Sequence, residues 1–480
     1  MSKAVTDEAT KLAVEGSWPV LSTERSWKGR SLFFVMISLA TATWLYPVGG
    51  YTAYYVKAGA GTLLIPAAVL LGTLLVILAI LPVSTKYGID SLVASKPFLG
   101  TNGSYIALFM LFCTVLGWNA VLTIFSGRAW AEIFISTGLL PESSRHLMQI
   151  IMPLVGIVVV YLLLRGGPSR VRDVSRPVAI GVSVLGVFIL VLLLVKVGWS
   201  SISSAKPAYA SGNRVGDFLL GFEVNFAPTL SWWVYLGALV RLTPSARSSA
   251  QPSLWGLAIP PIYIAIIGLY AGLAVPASGG DPTKFLTGLA GVGFGVPALL
   301  FIALANYGTL MASVYVAAVG LKLIPALQKK SSWDVVLLIC MVPVAFVSTV
   351  IPGPFFDRIG TFLAFLGVGF APLIGVHLVD YYLLRKQRLD VRSLYQTGSS
   401  GKYFFWAGFN WAAIISMAAG SAFFLYLLNP YTYAFHGPFP YISASLPSML
   451  LAAIVYWVLS KVWVMRVHKG GYEAVATEGK

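Results

Sequence analysis

Apolar residues fill long stretches of this chain, and polar residues gather in the short connections between those stretches. Apolar runs of about 20 residues recur from Ser31 to Val464, and a helix of that length crosses the hydrocarbon core of a bilayer. Because lipid offers no hydrogen-bond partners, a spanning segment must pair its backbone groups internally, which favours α-helices. The pattern predicts about twelve spans, numbered 1 to 12, which start near residues 31, 62, 104, 147, 177, 217, 253, 297, 333, 358, 403 and 440.

The order of the spans predicts two similar halves and an appendage. The Gly-rich stretch Gly279–Gly293, before span 8, fits either a re-entrant or an external segment. We expect a polar tail at residues 1–30, spans 1 to 5 at 31–200, spans 6 to 10 at 217–386, spans 11 and 12 at 403–464, and a second polar tail at 465–480.

Composition supports an all-α integral membrane protein. Hydrophobic residues make up 58% of the 480 residues and charged residues only 10%, and the mean hydropathy is +0.81. Soluble domains carry roughly a quarter charged residues, so a soluble fold does not fit. The two cysteines, Cys113 and Cys340, lie inside apolar runs and indicate neither a disulfide nor a metal site.

The net charge of +16 has two interpretations, a nucleic-acid partner or an oriented membrane protein. The Lys and Arg residues lie in short connections: 25 fall on the side of the N-terminus and 7 on the other side, while Arg128 lies within span 3. Positive loops stay on the cytoplasmic side. We therefore expect a plasma-membrane protein with both termini in the cytoplasm, with the lipid bilayer and not nucleic acid as its partner.

Helix-breaking residues fall near the middle of spans 1 and 6. Span 1 carries Pro47, Gly49 and Gly50 after the stretch Thr41–Trp44, and span 6 carries Pro228. Broken backbone at this depth is tolerated where it lines a cavity, and breaks at matching positions of two halves predict a binding site between inverted repeats. The alternative is a pair of plain proline kinks.

Polar and aromatic residues within the spans supply a candidate binding site. A flat heterocycle needs an aromatic plate and a few amide or hydroxyl partners, whereas any single tryptophan could instead pack against lipid or core. Polar groups in hydrocarbon are costly, so these side chains should face the bundle interior. The candidates are Trp118 and Asn119 in span 3; Asn225, Phe226, Thr229, Ser231 and Trp232 in span 6; and Asn306, Tyr307, Thr309 and Ser313 in span 8.

Few ionisable residues lie within the spans. Arg128 and Glu132 are spaced i, i+4 and are expected to pair with each other. Glu223 has no partner nearby in the sequence and is the candidate for proton coupling, with an exposed vestibule position as the alternative. Asp380 is expected to anchor the cytoplasmic end of span 10.

The chain is not expected to be an enzyme or to hold a cofactor. Of its four histidines only His377 falls in a span, and the sequence contains no metal-spaced cluster, nucleophile elbow or phosphate loop.

Three motifs resemble the nucleobase:cation symporter family. They are Gly88–Ser104 followed by Gly117 and Trp118; Gly375–Arg385, which reads GVHLVDYYLLR; and Tyr403–Ala413, which reads YFFWAGFNWAA. The resemblance covers nearly the whole chain. It implies a leucine-transporter-like fold of two inverted five-helix repeats plus two C-terminal helices.

The resemblance also implies solute contacts. The stacking tryptophan falls on Trp118, and a solute-contacting asparagine aligns one position from Asn306. Leu122 stands where some members carry a glutamine. The contacts at the break of span 6 fall on Ala227, Pro228 and Thr229 or on Ser231 and Trp232, and Ala42 is the candidate at the break of span 1.

Cation coupling follows from the same resemblance. A sodium site would use Ser38 and Thr41 of span 1 and Thr309 of span 8, whereas Gly308 stands where a second hydroxyl is expected. Sodium and protons both stay open as the coupling ion.

These observations predict a secondary transporter that imports a nucleobase or a related planar heterocycle. The alternatives are the same fold with another solute, such as an amino acid or a vitamin, and a membrane sensor that transports nothing. The oligomeric state is left open.

Overall fold

The computed structural model describes residues 18–472 apart from 166–168, 323, 325–326, 328–329 and 397. Within these residues, twelve spans form a helical bundle. Residues 1–17 and 473–480 of the two predicted tails lie outside the described residues, and for 169–177 and 179 only the backbone is described. The spans are Gly29–Ala40 with Leu45–Thr52, Ala58–Tyr87, Ser104–Ser136, Arg145–Leu164, Ser169–Lys196, Arg214–Leu230 with Trp233–Val240, Ala246–Ala274, Leu286–Leu321, Trp333–Val350, Ile359–Leu378, Trp411–Leu427 and Ser445–Leu459.

Length and apolar character qualify most spans to cross a bilayer. Among the described residues, eight helices are long and apolar enough, and the two halves of span 1 together make a ninth. Ile180–Lys196 and Trp411–Leu427 are shorter apolar helices. Large apolar side chains such as Leu63, Leu162 and Val195 lie exposed on the outside of the bundle, where lipid would contact them.

Span 1 is interrupted, as predicted, but at a different residue from the helix breakers. Its first half ends at Ala40, its second half begins at Leu45, and the two halves meet at an angle of 65°. Two tight turns bridge the gap, in which the N–H groups of Leu45 and Tyr46 donate to the carbonyls of Ala42 and Thr43. The break therefore lies within Thr41–Trp44.

The proline and glycines of span 1 have other roles than unwinding. Pro47 sits in the first turn of the second half, where a missing N–H breaks no helical hydrogen bond. A Cβ atom on Gly49 would collide with the carbonyl of Ala265, and one on Gly50 with that of Gly279. These glycines thus let span 1 pack closely against span 7 and the connection that follows it.

Span 6 is interrupted at Ser231 and Trp232. Pro228 lies inside the helix just before the break. There the N–H of Ser231 donates to the carbonyl of Pro228 (3.1 Å) and that of Trp232 to Thr229 (3.2 Å), so the α-helix tightens before it restarts at Trp233. The prediction of interruptions in spans 1 and 6 is confirmed.

Several span boundaries differ from the predicted starts. Spans 5 and 7 begin earlier, at Ser169 and Ala246. Span 11 begins at Trp411, because the segment before it is irregular: Gly408 accepts backbone hydrogen bonds from Asn102 and Gly103. Span 12 begins at Ser445. The helix of span 8 begins earlier, at Leu286, but it is kinked at Gly291, whose backbone is not helical (φ 70°, ψ 171°). The Gly-rich stretch 279–293 thus includes one 3₁₀ turn, Pro282–Lys284, and the short helical segment before this kink.

The spans pack in an order that brings the two breaks together. Span 7 packs along both halves of span 1 and along span 2, and span 6 packs against spans 2 and 10. Span 3 packs along span 8, and spans 11 and 12 pack against span 10. The space between the breaks and spans 3 and 8 is the candidate site.

Candidate functional site

A cavity, called the main cavity, lies between the breaks of spans 1 and 6 and the facing sides of spans 3 and 8. Counted with its open mouth, it measures about 410 Å³. Six of the predicted site residues line it: Trp118, Asn119, Ser231, Trp232, Thr309 and Ser313. Leu39, Trp44, Leu122 and Tyr235, which the sequence did not single out for the site, complete the lining.

Two other aromatic rings contact Trp118. The Trp44 ring lies with its centroid 4.1 Å from that of Trp118 and its plane tilted by 31°. Phe362 meets Trp118 edge-on, with the centroids 4.9 Å apart and the planes at 80°. Trp44 could have been found from the sequence, because it is the one aromatic residue in the polar stretch Thr41–Trp44 of span 1.

Asn119 carries the main polar group of the cavity wall. Its side chain is fully buried, and its Oδ1 accepts a hydrogen bond from the hydroxyl of Ser313. Its Nδ2 group has no hydrogen-bond partner among the described residues. On the opposite wall, the hydroxyl of Ser231 donates to the carbonyl of Pro228 (2.6 Å), which leaves its oxygen lone pairs available as acceptors.

A second cavity, called the side cavity, lies behind Trp44 and Trp232. Because these two residues line both cavities, they form the partition between them. The side chain of Asn225 is buried there and donates to Thr52 (2.8 Å) and to the carbonyl of Gly221 (2.9 Å). The full lining is Trp44, Leu45, Val69, Asn225, Pro228, Thr229, Trp232, Pro261 and Ala265.

Five predicted solute contacts line neither cavity. One of them, Tyr307, accepts a hydrogen bond from the indole N–H of Trp130 (3.1 Å). Ala42 is buried within the break of span 1, and Ala227 is buried in span 6. Phe226 stacks on Phe222, with the centroids 5.2 Å apart. Asn306 accepts a hydrogen bond from the hydroxyl of Thr43, which ties span 8 to the break of span 1.

The two alternative sets of predicted solute contacts in span 6 line different cavities. Ser231 and Trp232 line the main cavity, whereas Pro228 and Thr229 belong to the side cavity. The adjacent indoles also separate: Trp232 faces the cavities, while Trp233 is fully buried and donates to Nδ1 of His377 (3.1 Å).

The proposed cation ligands lie around the break of span 1. Ser38 belongs to the last turn of its first half, and the buried Thr41 donates its hydroxyl to the carbonyl of Ile37 (2.6 Å). The last carbonyls of a helix lack helical partners and form the negative end of its dipole, which suits a cation. Thr309 adds a hydroxyl from the wall of the main cavity.

Glu223 lies outside both cavities, and the expectation of an exposed vestibule position is wrong. The residue is 2% exposed. Its carboxylate accepts hydrogen bonds from the hydroxyl of Ser443, from the N–H of Ala444 (2.9 Å), and from the N–H (2.8 Å) and hydroxyl (2.7 Å) of Ser445. Its partners lie more than 200 residues later in the chain, beyond the reach of a local sequence pattern.

The predicted pair of Arg128 and Glu132 is wrong. Arg128 donates to Asp281 (2.8 Å), and its guanidinium lies over the ring of Phe356 at 3.9 Å. Glu132 instead accepts from Arg145 at 2.9 Å. On a helix, an ion pair in which the cation precedes the anion by one turn is weaker than one in the reverse order. Arg128 and Glu132 therefore pair with residues of other segments instead of with each other.

Asp380 anchors the C-terminal end of span 10, and the predicted anchoring role is confirmed. It pairs with Arg385 (2.7 Å), and both side chains are buried. The hydroxyls of Tyr456 and Tyr472 donate to its other oxygen at 2.9 and 2.7 Å. This cluster joins the end of span 10 to span 12 and to the segment after it.

Solved structures match this fold over nearly its full length. The inward-facing conformation of Mhp1 has a TM-score of 0.77 at 18% identity and covers 96% of this chain and 97% of that one. A substrate-bound, outward-open Na⁺-coupled sialic acid symporter has a TM-score of 0.59 at 13% identity and covers 96% of both chains. At these identities the likeness shows the fold, and it confirms the expected leucine-transporter-like architecture.

Sequence relatives are permeases rather than enzymes. The purine-uracil permease NCS1 of Arabidopsis thaliana is 24% identical over 409 residues, which cover 78% of this chain and 65% of the plant protein. The chain thus spans less than two thirds of that relative's length. The hydantoin permease of Microbacterium maritypicum is 37% identical over 71 residues, which cover 15% of this chain and 14% of that protein.

The family assignment follows from a match that runs along almost the entire chain. Residues 19–464 match the model of the permeases for cytosine/purines, uracil, thiamine and allantoin, and this range includes both interrupted spans and every cavity residue. The chain belongs to this family of permeases.

Proposed function

We propose that this protein is a secondary active transporter that imports a nucleobase or a related planar heterocycle by symport with a cation. The observation that carries the proposal is the main cavity, where Trp118 and Asn119 face the breaks of two interrupted spans. The solute class comprises cytosine, purines, uracil, hydantoins and allantoin, which the descriptions of the family and of its relatives name.

The cavity wall suits a flat, neutral, polar-edged solute. An indole offers a face for stacking, and stacking tolerates any ring that has a π-face. The amide of Asn119 and the oxygen of Ser231 offer one donor and one acceptor to the edge of the ring. No Lys or Arg lines either cavity among the described residues, which favours a neutral solute over an anion.

Alternating access would use the two breaks as hinges. The gap in span 1 joins two helical segments at 65°, and Trp44 and Trp232 lie in the two gaps as well as on both cavities. A small change of backbone angles at these positions would open the cavity to one side or the other while spans 3 and 8 stay packed together.

Sodium or a proton would drive the import. Sodium would bind near Ser38, Thr41 and Thr309, where helix-end carbonyls and hydroxyls supply the oxygen ligands that it prefers. The proton-coupling role of Glu223 stays a prediction, and the four donors around its carboxylate favour an anchoring role instead. The protein would lie in the plasma membrane with both termini in the cytoplasm, which the distribution of Lys and Arg supports.

Uptake into proteoliposomes tests the proposal. Labelled cytosine, uracil, a purine, hydantoin, allantoin and an amino acid are offered with sodium and proton gradients imposed separately, and empty liposomes serve as the control. We expect one heterocycle to accumulate under one of the gradients. Accumulation of the amino acid alone would favour an amino-acid carrier, and absence of accumulation under every gradient would contradict a transport function.

A further inference from the structure

Trp44 covers the face of Trp118 on which the proposed solute would stack. The two ring centroids are 4.1 Å apart, closer than in most aromatic pairs. A heterocycle stacked on the same face would occupy the same position as the Trp44 ring. One of the two has to leave before the other can bind.

Phe362 is a second aromatic neighbour of Trp118, and it is held in place more firmly than Trp44. Phe362 meets the Trp118 ring edge-on, and a Cβ atom on Gly117, the residue before Trp118, would collide with the Phe362 ring. Phe362 also lies within the continuous helix of span 10. It is therefore packed tightly against the backbone of span 3, on an element without a hinge.

Trp44, in contrast, lies at a hinge and borders the side cavity as well as the main cavity. It is the last residue of the gap between Ala40 and Leu45, where tight turns replace the regular helical hydrogen bonds. The side cavity begins directly behind it, and apolar side chains such as Leu45, Val69 and Pro261 line most of that space. An indole that rotated away from Trp118 would turn toward this apolar space, which would have to widen to hold the ring.

From this geometry we infer that Trp44 is a plug that competes with the solute for the face of Trp118, and that solute binding moves it into the side cavity. The inference rests on the proposed function, because it takes Trp118 as the stacking plate. It assigns Trp44 as a residue that sets solute affinity, and it assigns the side cavity as the space that receives its ring.

The plug would also link the solute to the cation. Thr43, the neighbour of Trp44, is bonded to Asn306 of span 8, and Thr41 of the proposed cation site lies three residues before it. Movement of Trp44 would shift the backbone of the gap, and with it the oxygens offered to the cation. By thermodynamic linkage the cation would then change the affinity for the solute, and the solute would change the affinity for the cation by the same factor.

Equilibrium binding to purified variants tests the plug. Trp44→Ala removes the competitor, Trp44→Phe leaves a smaller one, and Trp255→Ala is the matched control, because Trp255 lies half exposed on span 7 and bonds only within its own helix. The probe is the labelled heterocycle that wild-type protein takes up. We expect the affinity to rise in the order wild type, Trp44→Phe, Trp44→Ala, with a gain of roughly two- to tenfold for Trp44→Ala.

The outcomes separate the plug from the proposed function. Equal affinity of Trp44→Ala and the wild type would overturn the plug and show that Trp44 does not affect solute binding. Weaker binding by Trp44→Ala would also overturn it and make Trp44 a second ring that supports the solute. Where Trp44→Ala does not fold, the same comparison with Trp44→Phe decides. If neither the wild type nor the variants bind any heterocycle of the panel, the proposed function fails, and the plug fails with it.

Discussion

Glu223 of span 6 accepts two hydrogen bonds from Ser445, the first residue of span 12, one from its backbone N–H (2.8 Å) and one from its hydroxyl (2.7 Å). A carboxylate at the N-terminus of a helix is stabilised by the unpaired N–H groups and by the helix dipole. This contact fastens the appended spans 11 and 12 to the interrupted span 6.

Replacement of Glu223 by Gln should destabilise the protein without changing how uptake depends on pH. The amide turns an acceptor into a donor that faces other donors, and each hydrogen bond lost to a charged group costs about 1.5–3 kcal/mol. Thermal unfolding in detergent and uptake between pH 5.5 and 8 are the measurements, with Ser443→Ala as a milder variant that removes one donor. A variant of normal stability whose uptake no longer responds to pH would restore Glu223 as the proton-coupling group.

Asn119 should set the affinity for solutes that present an acceptor to its Nδ2 group. Asn119→Asp keeps the size and the contact with Ser313, but it replaces the buried donor with an oxygen. We expect a loss of about 1–3 kcal/mol, roughly five- to a hundredfold in affinity. Ser313→Ala frees the amide to turn and should cost less. Solute affinity in Asn119→Asp equal to that of the wild type would show that the amide does not contact the solute.

The buried pair of Arg128 and Asp281 should contribute more to folding than the more exposed pair of Glu132 and Arg145. Asp281 is fully buried, so Arg128→Met leaves its charge without compensation, at a cost of about 3–5 kcal/mol. The double variant Arg128→Met/Asp281→Asn should regain much of this loss, whereas Glu132→Gln should cost about 1 kcal/mol or less. Unfolding curves for these variants, for the wild type and for the single variant Asp281→Asn are the measurement, and additive losses in the double variant would argue against the pairing.

The close approach at Gly50 should tolerate no side chain. Gly50→Ala pushes a Cβ atom into the carbonyl of Gly279, and such overpacking typically costs 1–3 kcal/mol. Gly59→Ala is the matched control, because a Cβ atom on Gly59 would meet nothing within 4 Å. Unfolding temperatures of the two variants should therefore diverge, and equal values would mean that span 1 can shift to make room.

Hydropathy made the fold predictable, while the finer contacts depended on residues far apart in the chain. Span lengths follow from the thickness of the bilayer, and Pro228 correctly indicated the region of the second break. Gly49 and Gly50 were misread as unwinding residues, because their partners, Ala265 and Gly279, lie more than 200 residues away.

The candidate site was predictable where its residue types were unusual for a membrane helix. Trp118, Asn119 and Ser313 stood out as polar or large aromatic residues in apolar surroundings, and they meet in the main cavity. Leu39 and Tyr235 look like ordinary residues of an apolar helix, so only the fold brings them to the cavity wall.

The central claim is that the solute stacks on Trp118 between the two breaks, and solute affinity in the Trp44→Ala background tests it most directly. Without the Trp44 ring, Trp118→Ala changes only the stacking of the solute, because no competition with Trp44 remains to be relieved. The account predicts that adding Trp118→Ala weakens binding by about 1–3 kcal/mol, roughly five- to a hundredfold, and that Trp118→Phe retains part of the affinity. Solute affinity that does not change when Trp118→Ala is added would contradict the account.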